Sequence, residues 1–254
     1  MKLSGNTVFI TGGGSGIGRA LAEAFHQRGN QVIIVGRRPG PLAETTQANP
    51  GMQSLEVNIQ DPASIAAVAR TLMQDYPKLN VLINNAGIMQ ADDAAGVVDD
   101  AMLVATVTTN LLGPIRMTSA LIGHLKTQAP AVVINVSSGL GFVPLAMTAV
   151  YSATKAALHS YTVSLRYKLK GTSVKVLELA PPWVRTELMP GTDTSQAMPL
   201  SEFIAETMAV LGTDADEVLV DRVKPLRNNV GPGEGAFVNQ FNDRMAPPSP
   251  GRPR

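Results

Sequence analysis

Cysteine is absent from this chain of 254 residues, and histidine is scarce. The lack of cysteine excludes disulfide bonds, thiolate nucleophiles and cysteine-ligated zinc, although it leaves the redox compartment of the protein open. The three histidines, at positions 26, 124 and 159, are too few for a histidine-rich metal site. We therefore expect no metal cofactor.

Long apolar runs and a surplus of one charge are also missing. No stretch approaches the ~18 apolar residues of a membrane-spanning helix, and a strand-like run begins at Thr7 without a preceding signal-peptide core. The formal net charge is +1 and the basic residues form no stripe, which argues against nucleic acid and anionic membranes as partners. We expect a cytoplasmic protein that binds a small molecule.

The composition that remains suits one globular domain. Hydrophobic residues make up 44% of the chain, which is enough for one sizeable core, and we assign residues 1–244 to a single domain. Residues 245–254, MAPPSPGRPR, are basic and rich in proline. Such a composition cannot bury a core, so it predicts a flexible tail.

Short runs rich in β-branched residues alternate with longer helical patterns. The runs lack polar alternation, as expected of parallel strands buried on both faces. Seven strands are predicted at 7–11, 31–36, 52–57, 81–84, 131–136, 174–179 and 217–220. Helices are predicted at about 16–29, 41–48, 62–76, 99–126, 149–170 and 201–211. This order predicts an α/β protein in three layers, a doubly wound Rossmann fold with a seven-stranded parallel sheet.

A glycine-rich segment, TGGGSGIG, follows the first predicted strand and opens the first predicted helix. Glycines let the backbone turn tightly, while the helix N-terminus presents free N–H groups to a pyrophosphate. The pattern runs G-x-x-x-G-x-G from Gly12 through Gly16 to Gly18, so the literal G-x-G-x-x-G fingerprint is absent. The place of the segment after the first strand favours a dinucleotide cradle over an ordinary strand-to-helix connection.

The end of the second predicted strand lacks the carboxylate that a chain selective for NAD offers to the adenosine ribose. Arg37 and Arg38 stand there instead. Guanidinium groups bind a 2′-phosphate by charge-assisted hydrogen bonds, which favours NADP over NAD. The alternative is that both arginines are solvated loop residues.

Tyr151 and Lys155 are four residues apart in a predicted helix, which places both side chains on one face. A phenol has an ordinary pKa near ~10, and an adjacent ammonium favours its phenolate. Such a pair alone is most often structural. Here Ser138, just after the fifth predicted strand, and Asn110 upstream accompany it, and the carboxyl ends of parallel strands meet at one edge. The four residues together predict proton-transfer chemistry.

These segments resemble the short-chain dehydrogenase/reductase family in order and spacing: TGGGSGIG, NNAG at 84–87, Asn110, NVSSGLG and YSATK. The resemblance covers about residues 2–226, and within the family it is strongest to the DltE-type oxidoreductases, on VSSGLGFVPLA, LELAPPWVRTEL and MPLSEFI. It implies a Rossmann domain beneath a small substrate lid, and hydride transfer between a nicotinamide and an alcohol or carbonyl carbon. It also implies a homo-oligomer, a dimer or a tetramer.

The resemblance assigns a role to each catalytic candidate. Tyr151 is expected to be the acid in reduction and the base in oxidation, while Lys155 holds the nicotinamide ribose and lowers the pKa of the phenol. Ser138, rather than Ser137, has the spacing to hydrogen-bond the substrate oxygen. Asn110 is expected to anchor a water that links Lys155 to solvent.

Cofactor contacts are expected along the whole carboxyl edge of the sheet. Asn58-Ile59 replaces the usual Asp-Val, and Pro181-Pro182 replaces the usual Pro-Gly, which stiffens that turn. The residues assigned to NADP(H) are Gly12, Ser15, Gly16, Ile17, Gly18, Arg37, Arg38, Asn58, Ile59, Asn85, Ala86, Gly87, Tyr151, Lys155, Pro181, Val184 and Thr186.

The substrate lid is predicted at about 186–211, because its first part has glycine, proline and small polar residues without periodicity. Ser138, Leu140, Phe142, Trp183, Leu188 and Met189 are assigned to substrate. This apolar set favours a hydrophobic ketone or aldehyde, although each apolar residue could equally be core. His159 lies ~12 Å along the helix from Tyr151, so we expect it in packing or at the surface.

Three functions remain open from the sequence. The first is an NADPH-dependent carbonyl reductase, or the reverse alcohol dehydrogenase. The second is a polyol or sugar-ring dehydrogenase, which the polar lid residues 193–196 favour. The third is a protein that senses NADP without turnover, against which the intact Ser138, Tyr151 and Lys155 argue.

Overall fold

The computed structural model describes residues 1–188 and 195–245. Within these residues seven strands form one all-parallel sheet in the order β3-β2-β1-β4-β5-β6-β7. They are β1 Thr7–Thr11, β2 Gln31–Gly36, β3 Gln53–Glu56, β4 Leu79–Asn84, β5 Ala131–Val136, β6 Val174–Leu179 and β7 Glu217–Val218. The direction of the strand order changes between β1 and β4. Ligands bind at such a switch point in sheets of this kind.

Helices connect the strands and cover both faces of the sheet. They are α1 Gly16–His26, α2 Pro39–Ala48, α3 Pro62–Asp75, α4 Asp100–Val107, α5 Gly113–Leu125, α6 Ala149–Lys168, α7 Leu200–Leu211, α8 Lys224–Arg227 and α9 Glu234–Met245. A π-helical turn, Thr108–Leu112, joins α4 to α5, and short 3-10 turns occupy Gly139–Gly141, Ala146–Thr148 and Asp221–Val223.

The core lies in two layers, one on each face of the sheet. Along β1, Val8 and Ile10 pack in the cluster that contains residues of α1 and α7, whereas Phe9 packs in the cluster of α3 and α5. Side chains of a strand alternate between the faces, so a strand covered on both sides is apolar over most of its length. Each fully buried aliphatic side chain contributes about 1.5–3 kcal/mol, and these clusters therefore dominate stability.

The prediction of a seven-stranded parallel sheet is confirmed, and the differences from the predicted elements concern a few boundaries. The predicted helix 99–126 is interrupted by the π-helical turn, and α8 and α9 were not predicted. The predicted tail is wrong at Met245, which ends α9, and its remaining residues, 246–254, lie outside the described residues. Of the predicted lid, residues 189–194 also lie outside them, whereas α7 buries Phe203 and Met208 in the core.

Asp61 caps the N-terminus of α3, where its carboxylate accepts hydrogen bonds from the backbone N–H groups of Ala63 and Ser64. We expect Asp61→Ala to lower the free energy of unfolding by about 1 kcal/mol, because two N–H groups lose their partner. Urea denaturation measures the change. Asp75→Ala, at the C-terminus of the same helix, is the control and should not destabilise, since an acid there opposes the helix dipole. Equal losses in both variants would contradict the capping role.

Candidate functional site

The glycine-rich segment forms a tight turn between β1 and α1. The N–H groups of Gly12 and Gly13 donate to the carbonyl of Val35 at 2.7 and 3.1 Å, which ties the turn to the end of β2. Gly12 and Gly16 have φ angles of +68° and +52°, a region that side chains disfavour. A Cβ at Gly18 would lie 2.2 Å from the Gly12 carbonyl oxygen. The turn in this conformation therefore has no room for a side chain at position 18.

The start of α1 is open to an anion. Ser15 precedes the helix and is exposed, and in the described part of the chain its side chain makes no capping hydrogen bond. The first N–H groups of a helix have no partner within the helix, so they remain available to a phosphate group. Thr186 lies beside this turn, since a Cβ at Gly16 would meet its Cγ2 at 3.5 Å. The residues present thus fit a dinucleotide pyrophosphate.

The segment after β4 is locked to the glycine turn. The Asn85 side chain donates to the carbonyls of Thr11 and Gly12 at 3.0 and 3.2 Å, and the N–H groups of Asn85 and Ala86 donate to the Thr11 hydroxyl. A Cβ at Gly87 would lie 3.7 Å from the Lys155 ammonium nitrogen. This segment therefore spans from the cradle to the catalytic candidates, as the assignment of Asn85, Ala86 and Gly87 to the cofactor requires.

The residues assigned to the adenosine end are exposed or lie at the sheet edge. Arg37 and Arg38 are exposed and follow β2, directly beside the glycine turn. Asn58 is exposed after β3, and its side-chain oxygen accepts a hydrogen bond from Gln60. Ile59 is buried, so it can offer only its backbone or one edge of its side chain to a ligand. Both arginines are placed where a 2′-phosphate could reach them.

The four catalytic candidates come together at the first turn of α6. Tyr151 and Lys155 are 6% and 3% exposed, and the Lys155 nitrogen lies 5.5 Å from the centre of the Tyr151 ring. The Ser138 hydroxyl lies near enough to the Tyr151 phenol to lower its pKa. The Lys155 ammonium donates to the carbonyl of Val136 at 2.8 Å, which anchors it to the end of β5.

Asn110 lies in the π-helical turn and is fully buried. Its amide nitrogen donates to the carbonyl of Ile88 at 2.9 Å, and its side-chain oxygen accepts from the N–H of Ile88 at 2.9 Å. Its amide also lies 3.3 Å from the Thr154 hydroxyl of α6. Asn110 thereby ties the turn to α6 and to the segment after β4, near Lys155.

Burial controls the protonation of the catalytic pair. It raises the pKa of Tyr151 to about 12, against the smaller effect of Ser138. The net shift of the phenol pKa is therefore upward, opposite in direction to the effect expected of Lys155, because desolvation of the phenolate dominates. Burial also lowers the pKa of Lys155 to about 8, and the charge of Glu178 opposes that shift. Near neutral pH the pair is a phenol and an ammonium, which suits proton donation.

The residues assigned to substrate fall into two groups. Phe142 is held in place, with the His159 ring edge-on at 5.1 Å and the Arg227 guanidinium carbon 5.1 Å from its ring centre. Trp183 and Leu188 are exposed, at 39% and 41%. Trp183 and Leu188 are thus accessible to a ligand. Phe142, in addition to its assignment to substrate, packs against His159 and Arg227.

Leu140, by contrast, lines a cavity of about 300 Å³ between the start of α6 and α9, together with Val238 and Asn242. Met189 lies outside the described residues. Val184 is buried and forms a β-bridge with Met198, which is 1% exposed and belongs to the core rather than to a substrate surface. Pro181 accepts a hydrogen bond from Gly139 at 2.8 Å and so fixes the loop after Ser138.

The sequence analysis missed one buried residue next to the site, Glu178, and with it the ionisable partner of the half-buried His159. Glu178 is fully buried in β6, and its carboxylate lies 2.7 Å from Nδ1 of His159. His159 therefore has a specific ionisable partner rather than only packing contacts. The sequence did contain a signal for Glu178, because it is the single charged residue within VLEL and a buried parallel strand is otherwise apolar.

Across the described residues, we find no helix long and apolar enough to cross a membrane.

Comparisons with known proteins agree with this geometry. The family model of short chain dehydrogenases matches residues 6–197. The uncharacterized oxidoreductase DltE of Bacillus subtilis is 37% identical over 248 residues, which cover 95% of this chain and 98% of that protein. Sulfoacetaldehyde reductase 2 of Chromohalobacter salexigens is 34% identical over 184 residues, 71% of this chain and 73% of that protein.

Solved structures give the same result. A short chain dehydrogenase from Burkholderia cenocepacia in complex with NADP has a TM-score of 0.82 and 26% identity, over 98% of this chain and 100% of that one. A Burkholderia phymatum short chain dehydrogenase/reductase in complex with NAD shares the fold, with a TM-score of 0.80 and 19% identity over 98% and 99% of the two chains. The sheet, the glycine turn and these matches together show that the chain belongs to the short-chain dehydrogenase/reductase family of oxidoreductases.

Proposed function

We propose that this protein is an NADP(H)-dependent oxidoreductase that transfers hydride between the nicotinamide and a carbonyl or alcohol carbon. Its main activity in this proposal is the reduction of hydrophobic or aromatic ketones and aldehydes to alcohols. The observation that carries the proposal is the buried group of Ser138, Tyr151 and Lys155 at the carboxyl edge of the sheet, beside the glycine turn.

The protonation state of the site supports reduction. When bound, the cofactor supplies the hydride. Negative charge then develops on the substrate oxygen, where the hydroxyls of Ser138 and Tyr151 donate hydrogen bonds and Tyr151 gives up its proton. Lys155, with a pKa of about 8, can return a proton to the phenolate and regain one from solvent. Oxidation of an alcohol uses the same groups in reverse.

The surroundings of the catalytic residues favour a neutral substrate over an anionic one. Asp92 accepts hydrogen bonds from the N–H groups of Ala149 and Val150, directly before Tyr151. Asp92 and Asp93 also line a cavity of about 360 Å³ together with other residues of the segment 90–102. Carboxylates at this position repel phosphate or carboxylate groups. The exposed Trp183 and Leu188 add apolar surface and support an apolar carbonyl compound.

The preference for NADP rests on Arg37 and Arg38. Both are exposed beside the glycine turn, and the adjoining Gly36 offers no carboxylate to a ribose. Related structures include complexes with NADP, NAD and NADH, so the chemistry of these two residues supports the proposal more than the fold does. Their charge is suited to a 2′-phosphate.

Replacing both arginines by alanine is expected to raise the KM for NADPH about 10- to 100-fold, because charge-assisted hydrogen bonds to the 2′-phosphate contribute about 1.5–3 kcal/mol. The KM for NADH should change less than about threefold, since NADH lacks that phosphate. Steady-state kinetics with both cofactors measure the two values. Arg28→Ala removes a cation at the far end of α1, where Arg28 bonds to the Ala24 carbonyl, and is the control. Equal losses for NADPH and NADH would contradict the proposal.

NADPH oxidation against a panel of aromatic ketones, aldehydes and sugars tests the substrate class. Turnover with apolar carbonyl compounds is the expected result. Faster turnover of sugars or polyols would favour the second function considered from the sequence, although part of its basis, Asp193 and Thr194, lies outside the described residues.

We also propose a homo-oligomer, a dimer or a tetramer, in the cytoplasm. Val104 of α4 and Tyr167 of α6 are 55% and 68% exposed, and such apolar surface on long helices is suited to pairing with a second copy. Light scattering of the purified protein measures the oligomeric state.

A further inference from the structure

A row of polar side chains crosses the sheet beneath α6. Asn84, Asn135, Glu178 and Glu217 occupy the same register position in β4, β5, β6 and β7. Residues in register on parallel strands point to the same face. The row is polar in a largely apolar sheet, and it lies towards the carboxyl ends of the strands, where the candidate catalytic residues are.

The first half of this row fastens helices to the sheet by neutral hydrogen bonds. Asn84 donates to Asn135 at 2.9 Å and to Thr118 of α5 at 3.0 Å. Asn135 donates to Thr162 of α6 at 2.9 Å. All four side chains are buried. These contacts fix where α6 sits over β5, and with it the position of the catalytic pair.

The second half of the row carries charge. Glu178 is fully buried and accepts a hydrogen bond from the Ser137 hydroxyl at 2.5 Å. Its other carboxylate oxygen lies 2.7 Å from Nδ1 of His159. Ser137 directly precedes Ser138, and His159 follows Lys155 by one helical turn. One carboxylate thus joins the serine turn to the helix that carries the catalytic tyrosine and lysine.

A charge at this depth has a cost that packing alone does not explain. Removing a carboxylate from water costs several kcal/mol even after pairing, and apolar residues of similar volume often stabilise a fold better. Asn135, in the same row, shows that a neutral side chain can hold α6. The charge of Glu178 is therefore better explained by the chemistry that takes place next to it.

We propose that Glu178, with His159 as its partner, is a positioning residue of the reaction: its carboxylate fixes the serine turn against α6 and keeps Lys155 in its ammonium form within the buried site. This inference rests on the proposed function. It assigns a specific task to two residues that do not themselves contact substrate or cofactor.

The charges around Lys155 agree with this assignment. Tyr151, on the same helix, has its ring centre 5.5 Å from the Lys155 nitrogen. Glu178 on β6 acts on Lys155 by its charge, and its partner His159 lies one turn further along α6. The charge of Glu178 raises the pKa of Lys155, whereas burial lowers it to about 8. Without the carboxylate, only the lowering effect of burial would remain.

At the outer end of the row, Glu217 forms an ion pair with Arg227. Glu217 and Arg227 are joined at 2.8 and 3.0 Å, and the guanidinium also lies over Phe142. His159, Glu178 and Glu217 bring ligand atoms within 4.8 Å of one another, but Arg227 already supplies a positive charge there. The cluster is therefore better described as an ion-pair network than as a cation site, and Glu217 offers a matched control for Glu178.

The test compares the pH dependence of kcat/KM for the wild type, Glu178→Gln and Glu217→Gln. The wild type should lose activity as the pH rises through about 8, where Lys155 loses its proton. In Glu178→Gln the fall of kcat/KM with rising pH, its alkaline limb, should begin about one pH unit lower than in the wild type. Relative to the wild type, activity should therefore be about tenfold lower at alkaline pH and little changed near pH 6. Glu217→Gln should leave the limb in place. A uniform loss at all pH values in Glu178→Gln would overturn the proposal.

Two further measurements keep the result interpretable. Glu178→Asp keeps the charge on a shorter side chain, so it should lower kcat and leave the alkaline limb of the pH profile where it is in the wild type. A shifted alkaline limb in this variant would contradict the role of charge. A ¹³C NMR titration of labelled lysine should give a midpoint for Lys155 about one unit lower in Glu178→Gln than in the wild type. This titration needs no turnover. An inactive wild type would therefore refute the proposed function, whereas an unchanged midpoint would refute the role of Glu178.

Discussion

Tyr151→Phe is expected to lower kcat by about 10²- to 10⁴-fold, the usual contribution of a positioned general acid. The phenol is buried, lies next to Ser138, and is protonated at neutral pH because burial raises its pKa to about 12. Phenylalanine keeps the ring and its packing but has no proton to give. Affinity for NADPH, measured by fluorescence titration, should change less than about threefold, since only the hydroxyl is lost.

Tyr161→Phe is the matched control for this prediction. Tyr161 lies in the same helix, is only half-buried, and has its hydroxyl near Thr118 rather than near the serine turn. Its removal should leave kcat within about threefold of the wild type, because it touches none of the reacting groups. A Tyr151→Phe variant that retained most of its activity would contradict the catalytic assignment.

Gly18→Ala is expected to weaken cofactor binding by about 10- to 100-fold or more, because overpacking of this kind costs about 1–3 kcal/mol. The added Cβ would lie 2.2 Å from the Gly12 carbonyl oxygen and 2.3 Å from the Asn85 amide nitrogen. Both atoms belong to the interlocked turn, so the backbone that faces the pyrophosphate would have to move. Titration of NADPH binding measures the loss directly.

Gly123→Ala provides the comparison for a methyl group added without a clash. Gly123 lies in α5, and no heavy atom comes within 4 Å of a Cβ placed there. Its affinity for NADPH should equal that of the wild type, and its helix should be slightly more stable. Unchanged NADPH affinity in a folded Gly18→Ala variant would show that the glycine turn is not the cofactor cradle.

Much of the fold could be predicted because its parallel strands are buried on both faces. Runs such as QVIIVG in β2 and AVVINV in β5 cannot alternate with polar residues, and each stands out as a continuous apolar segment. The glycine segment was equally visible, because the tight turn that it forms excludes side chains. Local sequence determines these features.

The elements that were missed depend on contacts far apart in the chain. Nothing in TTNLL, Thr108–Leu112, breaks a helix, and the π-helical turn coincides with the two hydrogen bonds between Asn110 and Ile88. α9 follows a segment rich in glycine and proline, and none of its residues is fully buried, so its pattern is weak. Tertiary contacts decided both elements.

Motifs in the sequence identified the candidate residues that the structure brings together, whereas the contact of Glu178 with His159 depends on the sheet register, which no motif records. The distance from Tyr151 to His159 along α6 says nothing of Glu178, which reaches His159 from a strand beneath the helix. Likewise, the expected effect of Lys155 on the Tyr151 phenol took no account of burial, the larger influence on its pKa. Sequence spacing identifies neighbours on one helix, but it does not determine solvent access.

Transfer of deuterium from NADPH labelled at C4 of the nicotinamide tests the central claim most directly. The labelled cofactor is incubated with the protein and an aromatic ketone, and the product is analysed by mass spectrometry. We expect one deuterium on the carbinol carbon of the alcohol with the wild type, and almost none in the same time with Tyr151→Phe. Tight binding of NADPH without label in any product, across ketones, aldehydes and sugars, would contradict the account and favour a protein that senses the cofactor.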